Sequence, residues 1–154
     1  VARGVRQEHG YFGESLSGVY SNADLAANYA GLKFYRNLRE PVQIGDATLA
    51  PLLQLSAGAW TLRPGLDPAR VLEAFLTDHL DGSLNPSVYR FGGSIIRRAI
   101  RKRCEAWARA HPEKIPLVRP ARESFAATWN AEEYGHWLPE DREVSLATEC
   151  AGRL

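Results

Sequence analysis

The sequence predicts a mainly α protein, a single compact helical domain with a small β-hairpin element. Three observations lead there. Ser21 to about Leu38 reads as one capped helix, Asp67-Pro68 opens a second, and Ser94 opens a third whose apolar stripe runs to about Ala110. No repeat, low-complexity tract or linker divides the 154 residues, which are enough for one buried core.

Residues 1–20 are rich in glycine and polar side chains and read as loop or short helix. The first helix ends before Pro41. "VQIGDATLA" then alternates around a Gly45-Asp46 turn, the pattern of a short hairpin. "AWTLRPG" reads as another short strand before a Pro-Gly turn. Asp67 is placed to cap the second helix with Pro68 at its first position, and Val71, Leu72, Phe75, Leu76 and Leu80 follow at helical spacing. "DGSLNPS", residues 81–87, is turn chemistry.

In the third helix Ile95, Ile96, Ala99, Ile100, Cys104, Trp107 and Ala108 form the apolar stripe. Arg97, Arg98, Arg101, Lys102 and Arg109 lie largely off it, and His111-Pro112 stops it. "PEKIPLVRPAR" carries three prolines and is expected to be extended. A shorter helix over about 121–133 and a helical tail complete the expectation.

Hydrophobic residues make up 45% and charged residues 24%, ordinary for a soluble globular chain. A net charge of +1 supplies no global field for nucleic acid or anionic lipid, so neither is an expected partner. Sixteen of the 19 basic residues are Arg, which suggests a GC-rich bacterial genome. No apolar run reaches the roughly 18 residues of a membrane span, and no signal-peptide pattern is visible. The chain is therefore expected to be soluble, cytoplasmic or periplasmic. It starts at Val1 and has no Met, so it is expected to be a fragment or matured part of a longer chain. Two cysteines cannot make a four-ligand zinc site. The plain reading of Cys104 is a buried thiol, and the alternative is one disulfide with Cys150, which would suit an oxidising compartment. No metal and no cofactor are expected.

Candidate chemistry concentrates at the start of the first helix. Ser21 and Asp24 form a capping box in its weaker Asp form. Asn28 is less easily explained, because its side chain competes with helical backbone bonds. Asp24, Asn28, Gly31 and Tyr35 recur about one turn apart, between the small residues Ala26, Ala27 and Ala30. Such a stripe reads either as a buried polar network or as one wall of a site. Glu8, His9 and Glu14 precede it, without the H-E-x-x-H spacing of a zinc protease. Gly13 to Ser17 falls short of a nucleophile elbow at its last position. A second cluster, Asp78, His79, Asp81 and Asn85, lies at a helix end, where Asp and the helix dipole would hold the imidazole charged. His136 sits near Glu133, Tyr134 and Trp137 and reads as core packing or an aromatic pocket edge.

Glu14, Ser21, Asp24, Asn28 and Gly31 resemble the E…S-x-x-D-x-x-x-N-x-x-G helical motif of VanZ-like and related small bacterial envelope proteins, over about twenty residues. That resemblance implies membrane-embedded or lipid-anchored relatives. "GES" followed by "N…G…Y..L" also looks like lytic transglycosylases, which use one Glu as general acid. Their Gly-Leu-Met-Gln segment is absent here.

Two functional expectations follow. The first is a non-catalytic interaction or structural domain in which the polar stripe is a buried network. Its partner would be a protein meeting the basic 94–110 helix, with Tyr35, Asp78, Arg97 and Arg101 as binding residues. The second is a hydrolytic enzyme or enzyme fragment. It would use Glu14, Asp24 and Asn28, with His9 or His79 as proton carrier.

Overall fold

A computed structural model of the chain describes residues 6, 17–45, 47–118, 142–150 and 152–153. These residues form β1 (Val19–Ser21), α1 (Asn22–Asn37), β2 (Val42–Ile44), β3 (Ala47–Leu49), β4 (Leu53–Ser56) and β5 (Ala59–Leu62). They continue as α2 (Pro68–Phe75), β6 (Ser87–Tyr89), α3 (Gly93–Arg101), α4 (Cys104–Ala110), β7 (Glu143–Val144) and α5 (Leu146–Cys150). Short 3-10 turns occupy Asp78–Leu80 and Pro112–Lys114. Among the described residues, no helix is long and apolar enough to cross a membrane.

The expectation of a mainly α domain with one small hairpin is overturned. The described residues are 51% helical and 20% strand, in three antiparallel sheets. One sheet has the order β1-β6-β7, with Tyr20 opposite Val88 and Val88 opposite Glu143. The others are the hairpins β2–β3 and β4–β5. The β1-β6-β7 strands are two or three residues long, too short to show an alternating pattern, and their partners lie far apart in the chain.

The chain divides into two compact units. One comprises Val1–Ala26 with Asp78–Leu154, the other Ala27–Thr77. In the first, Tyr20, Leu25 and Val88 pack into one buried cluster. Cys104, Leu146 and Cys150 form another, with Ile100 and Trp107 against it. Cys104 and Cys150 are joined as a disulfide, so the buried-thiol reading is replaced by the bridged one. In the second unit, Phe34 and Phe75 meet edge to face with ring centroids 5.4 Å apart.

Several local expectations hold. Asp67 caps α2 by accepting the Ala69 N–H at 3.0 Å, with Pro68 at the first turn. The Gly45 hairpin forms, and Gly45 takes the left-handed φ of 54° that its turn requires. Other expectations change. The third helix is broken at Lys102 and Arg103, and left-handed Gly92 rather than Ser94 is its cap. Ile95 is exposed rather than part of the buried stripe. The described part of the proline-rich stretch, residues 112–118, is a 3-10 turn followed by helical backbone over 115–118, not extended chain, and its remaining residues lie outside the described ones. The tail contributes β7 as well as α5. The helix expected over 121–133 lies outside the described residues.

Candidate functional site

The opening stripe is placed by its cap. Ser21 Oγ accepts the Asp24 N–H at 3.1 Å, satisfying one orphan donor of the first turn. Asp24, Asn28, Gly31 and Tyr35 are all exposed, Tyr35 by 72%. A Cβ added to Gly31 would meet nothing within 4 Å, so among the described residues no element closes on the helix there. The buried asparagines of α1 are Asn22 and Asn37, one at each end. Asn37 Nδ2 donates to the carbonyls of Glu40, Leu49 and Ala50 at 3.2, 3.3 and 3.0 Å. It thereby ties the end of α1 to the chain leaving β3. Glu14, His9 and the His136 group lie outside the described residues.

The second polar cluster is a stapled turn. Asp81 accepts from the Ser83 N–H at 2.9 Å, from Ser83 Oγ and from Lys114 Nζ. Burial pushes the Asp81 carboxyl upward, but Lys114 and Ser83 outweigh burial and hold it below the usual carboxylate range. Asn85 Nδ2 donates to the His79 carbonyl at 2.7 Å. Burial lowers the His79 pKa, and the neighbouring Asp78 only partly opposes this. The imidazole is therefore biased toward its neutral form, the reverse of the charged state expected at a helix end. A neutral imidazole can accept a proton, though burial makes this one a weaker base than a free histidine. Among the described residues, no group of three or more His, Cys, Asp or Glu could hold a metal ion.

Arg97 and Arg101 are turned inward to a carboxylate. Arg97 Nη1 lies 3.0 Å from Glu149 Oε1, and Arg101 Nε lies 2.6 Å from Oε2. Arg97 Nη2 also donates to the Glu143 carbonyl at 2.8 Å. The Glu149 side chain is 1% exposed, so the two cations compensate a buried charge that would otherwise be costly. Arg109 pairs with Glu105 on its own helix at 3.8 Å. Arg98, Lys102 and Arg103 remain exposed on α3 and the α3–α4 turn.

The strongest surface feature was missed by sequence reasoning. In β4–β5, Leu53 stands opposite Leu62 and Leu55 opposite Trp60. Residues two apart and residues directly opposite share a face, so these four apolar side chains line one side of the hairpin. Gln54, Ser56, Ala59 and Thr61 take the other. Leu55 is 62% exposed, Trp60 49% and Leu62 65%. The Arg39 guanidinium lies 5.0 Å from the Trp60 ring centroid. The signal was present in "LQLSAGAWTL": two alternating runs around a two-residue Ala-Gly loop. Ala57 and Gly58 both take positive φ, 49° and 80°, as a primed hairpin turn requires.

The sequence matches no family model, and no curated protein or solved structure matches it.

Proposed function

We propose that the chain is a non-catalytic interaction domain whose contact surface is the apolar face of β4–β5. The observation that carries this is the registered set Leu53, Leu55, Trp60 and Leu62, of which Leu55 and Leu62 are more than half exposed and Trp60 is 49% exposed. A two-stranded hairpin is marginal in water by itself, and an exposed apolar strand pair favours association. In this reading the buried polar residues serve the fold: Asn37 ties α1 to the β2–β3 hairpin, and Glu149 ties α5 to α3. The basic 94–110 helix is the weaker partner surface, because Glu149 already engages Arg97 and Arg101. The first partner is a second copy of the chain. A net charge of +1 gives little mutual repulsion, and one patch meeting itself makes a twofold contact. The Cys104–Cys150 disulfide supports an oxidising compartment, where such bonds persist.

Sedimentation velocity over a wide concentration range tests the reading. The wild-type chain is expected to shift from monomer toward dimer. Leu55→Asp/Leu62→Asp is expected to stay monomeric with an unchanged circular dichroism spectrum, since both positions are exposed. A wild-type chain that stays monomeric throughout, or a variant that dimerises equally well, would remove it.

A further inference from the structure

Helix α4 presents one face that the proposed contact surface does not use and that continues outward from the Cys104–Leu146–Cys150 cluster through Ile100 and Trp107. Residues 103, 106, 107, 110 and 111 recur at helical spacing, so they share one side of the helix. With Ile100 one turn before and Leu146 from α5, that side lines an open, solvent-facing cavity of about 490 Å³. Its shape follows from the sequence. Ala106 and Ala110 leave space where larger side chains would fill it, and Trp107 forms a wall. The Cys104–Cys150 disulfide pins α4 to α5, which brings Leu146 into the lining.

The lining is apolar except at its ends. Arg103 is exposed and permanently charged. His111 stands beside Trp107, with ring centroids 5.7 Å apart. The volume lies within the roughly 300–1,000 Å³ of small-molecule sites, which are mostly apolar with a few orienting polar groups. An apolar body is matched by Ile100, Trp107 and Leu146, and a negative head by Arg103. A neutral ligand would leave the cation without a role, and an anion without a hydrocarbon body would leave the apolar wall unused.

We propose that this cavity binds a medium-chain carboxylate, its hydrocarbon against Trp107, Ile100 and Leu146 and its head on Arg103. This is independent of the β4–β5 reading, since it uses none of those residues.

The test is titration of the purified chain with decanoate, below its micelle-forming concentration, by calorimetry and tryptophan fluorescence. Saturable one-to-one binding is expected, with decanol weaker. Arg103→Glu is expected to weaken decanoate binding by about tenfold or more, because a charge-assisted contact becomes repulsive. Arg103 is exposed, so this variant should keep the wild-type circular dichroism spectrum. Ala106→Phe, which fills the cavity, should abolish binding, whereas Leu55→Asp/Leu62→Asp should leave it intact. Absence of saturable binding overturns the proposal. So does binding unchanged in both Arg103→Glu and Ala106→Phe, or binding lost only in the hairpin variant.

Discussion

The two compact units are held together by opposite means. The unit built from Val1–Ala26 and Asp78–Leu154 relies on links between residues distant in the chain. Its disulfide spans 46 positions, and its Arg–Glu pairs span 52 and 48. The unit Ala27–Thr77 is built mostly from neighbours, a helix, two tight hairpins and a short capped helix, with the Phe34–Phe75 pair as a longer-range contact. It leaves Leu55, Trp60, Leu62, Leu72 and Leu76 exposed. Short-range folding is inexpensive in loop entropy but buries little. Both units expose large apolar side chains, Phe91 and Ile95 in the long-range one, but the short-range unit aligns Leu55, Trp60 and Leu62 on one strand-paired face.

The sharpest way to break this contrast is to remove the covalent link. A closed loop of 46 residues corresponds to a stabilisation of about 4 kcal/mol in the chain-entropy account. Cys104→Ala/Cys150→Ala is expected to lose about that much, read from urea denaturation. Loss below about 1 kcal/mol would mean that packing alone closes this unit.

Removing the ionic link comes next. Glu149→Ala leaves Arg97 and Arg101 facing a site built for a carboxylate, at a cost of about 3 kcal/mol. Arg97→Met/Arg101→Met/Glu149→Leu should recover most of that loss, because the penalty lies in the unpaired charges. If Glu149→Ala unfolds no more readily than wild type, the pair is not what fastens α5 to α3.

These long-range links explain what could and could not be read from the sequence. Local signals were legible: the Ser21 cap, the Asp67-Pro68 helix start and the Gly45 hairpin turn. Each depends on residues a few positions apart. Cys150 as the partner of Cys104 stayed one of two alternatives, and Glu149 as the partner of Arg97 and Arg101 carried no local sign. A basic helix face therefore read as partner-binding when part of it neutralises a buried charge. The β1-β6-β7 sheet was invisible for the same reason, compounded by strands of two or three residues. The β4–β5 face was legible in principle from its Ala-Gly loop, but only its second strand was recognised.

The smallest expected effects lie on α1, where the two kinds of packing can be compared on one helix. Asn28 and Asn37 are nine positions apart, which at about 100° per residue sets them on opposite sides. Asn37 is fully buried and donates to three backbone carbonyls, so Asn37→Ala should cost about 2 kcal/mol. Asn28 is exposed, and the open surroundings of Gly31 show that no described residue closes on this side of the helix there. Asn28→Ala should therefore raise stability by about 0.5 kcal/mol and Gly31→Ala by about 1 kcal/mol, as helix propensity alone dictates. Urea denaturation of the three variants separates the cases by sign. A loss on Asn28→Ala would restore the buried-network reading of the Asp24, Asn28, Gly31, Tyr35 stripe. A gain leaves those four residues as a solvent face, where the only element of the stripe with a structural task is the Ser21–Asp24 cap.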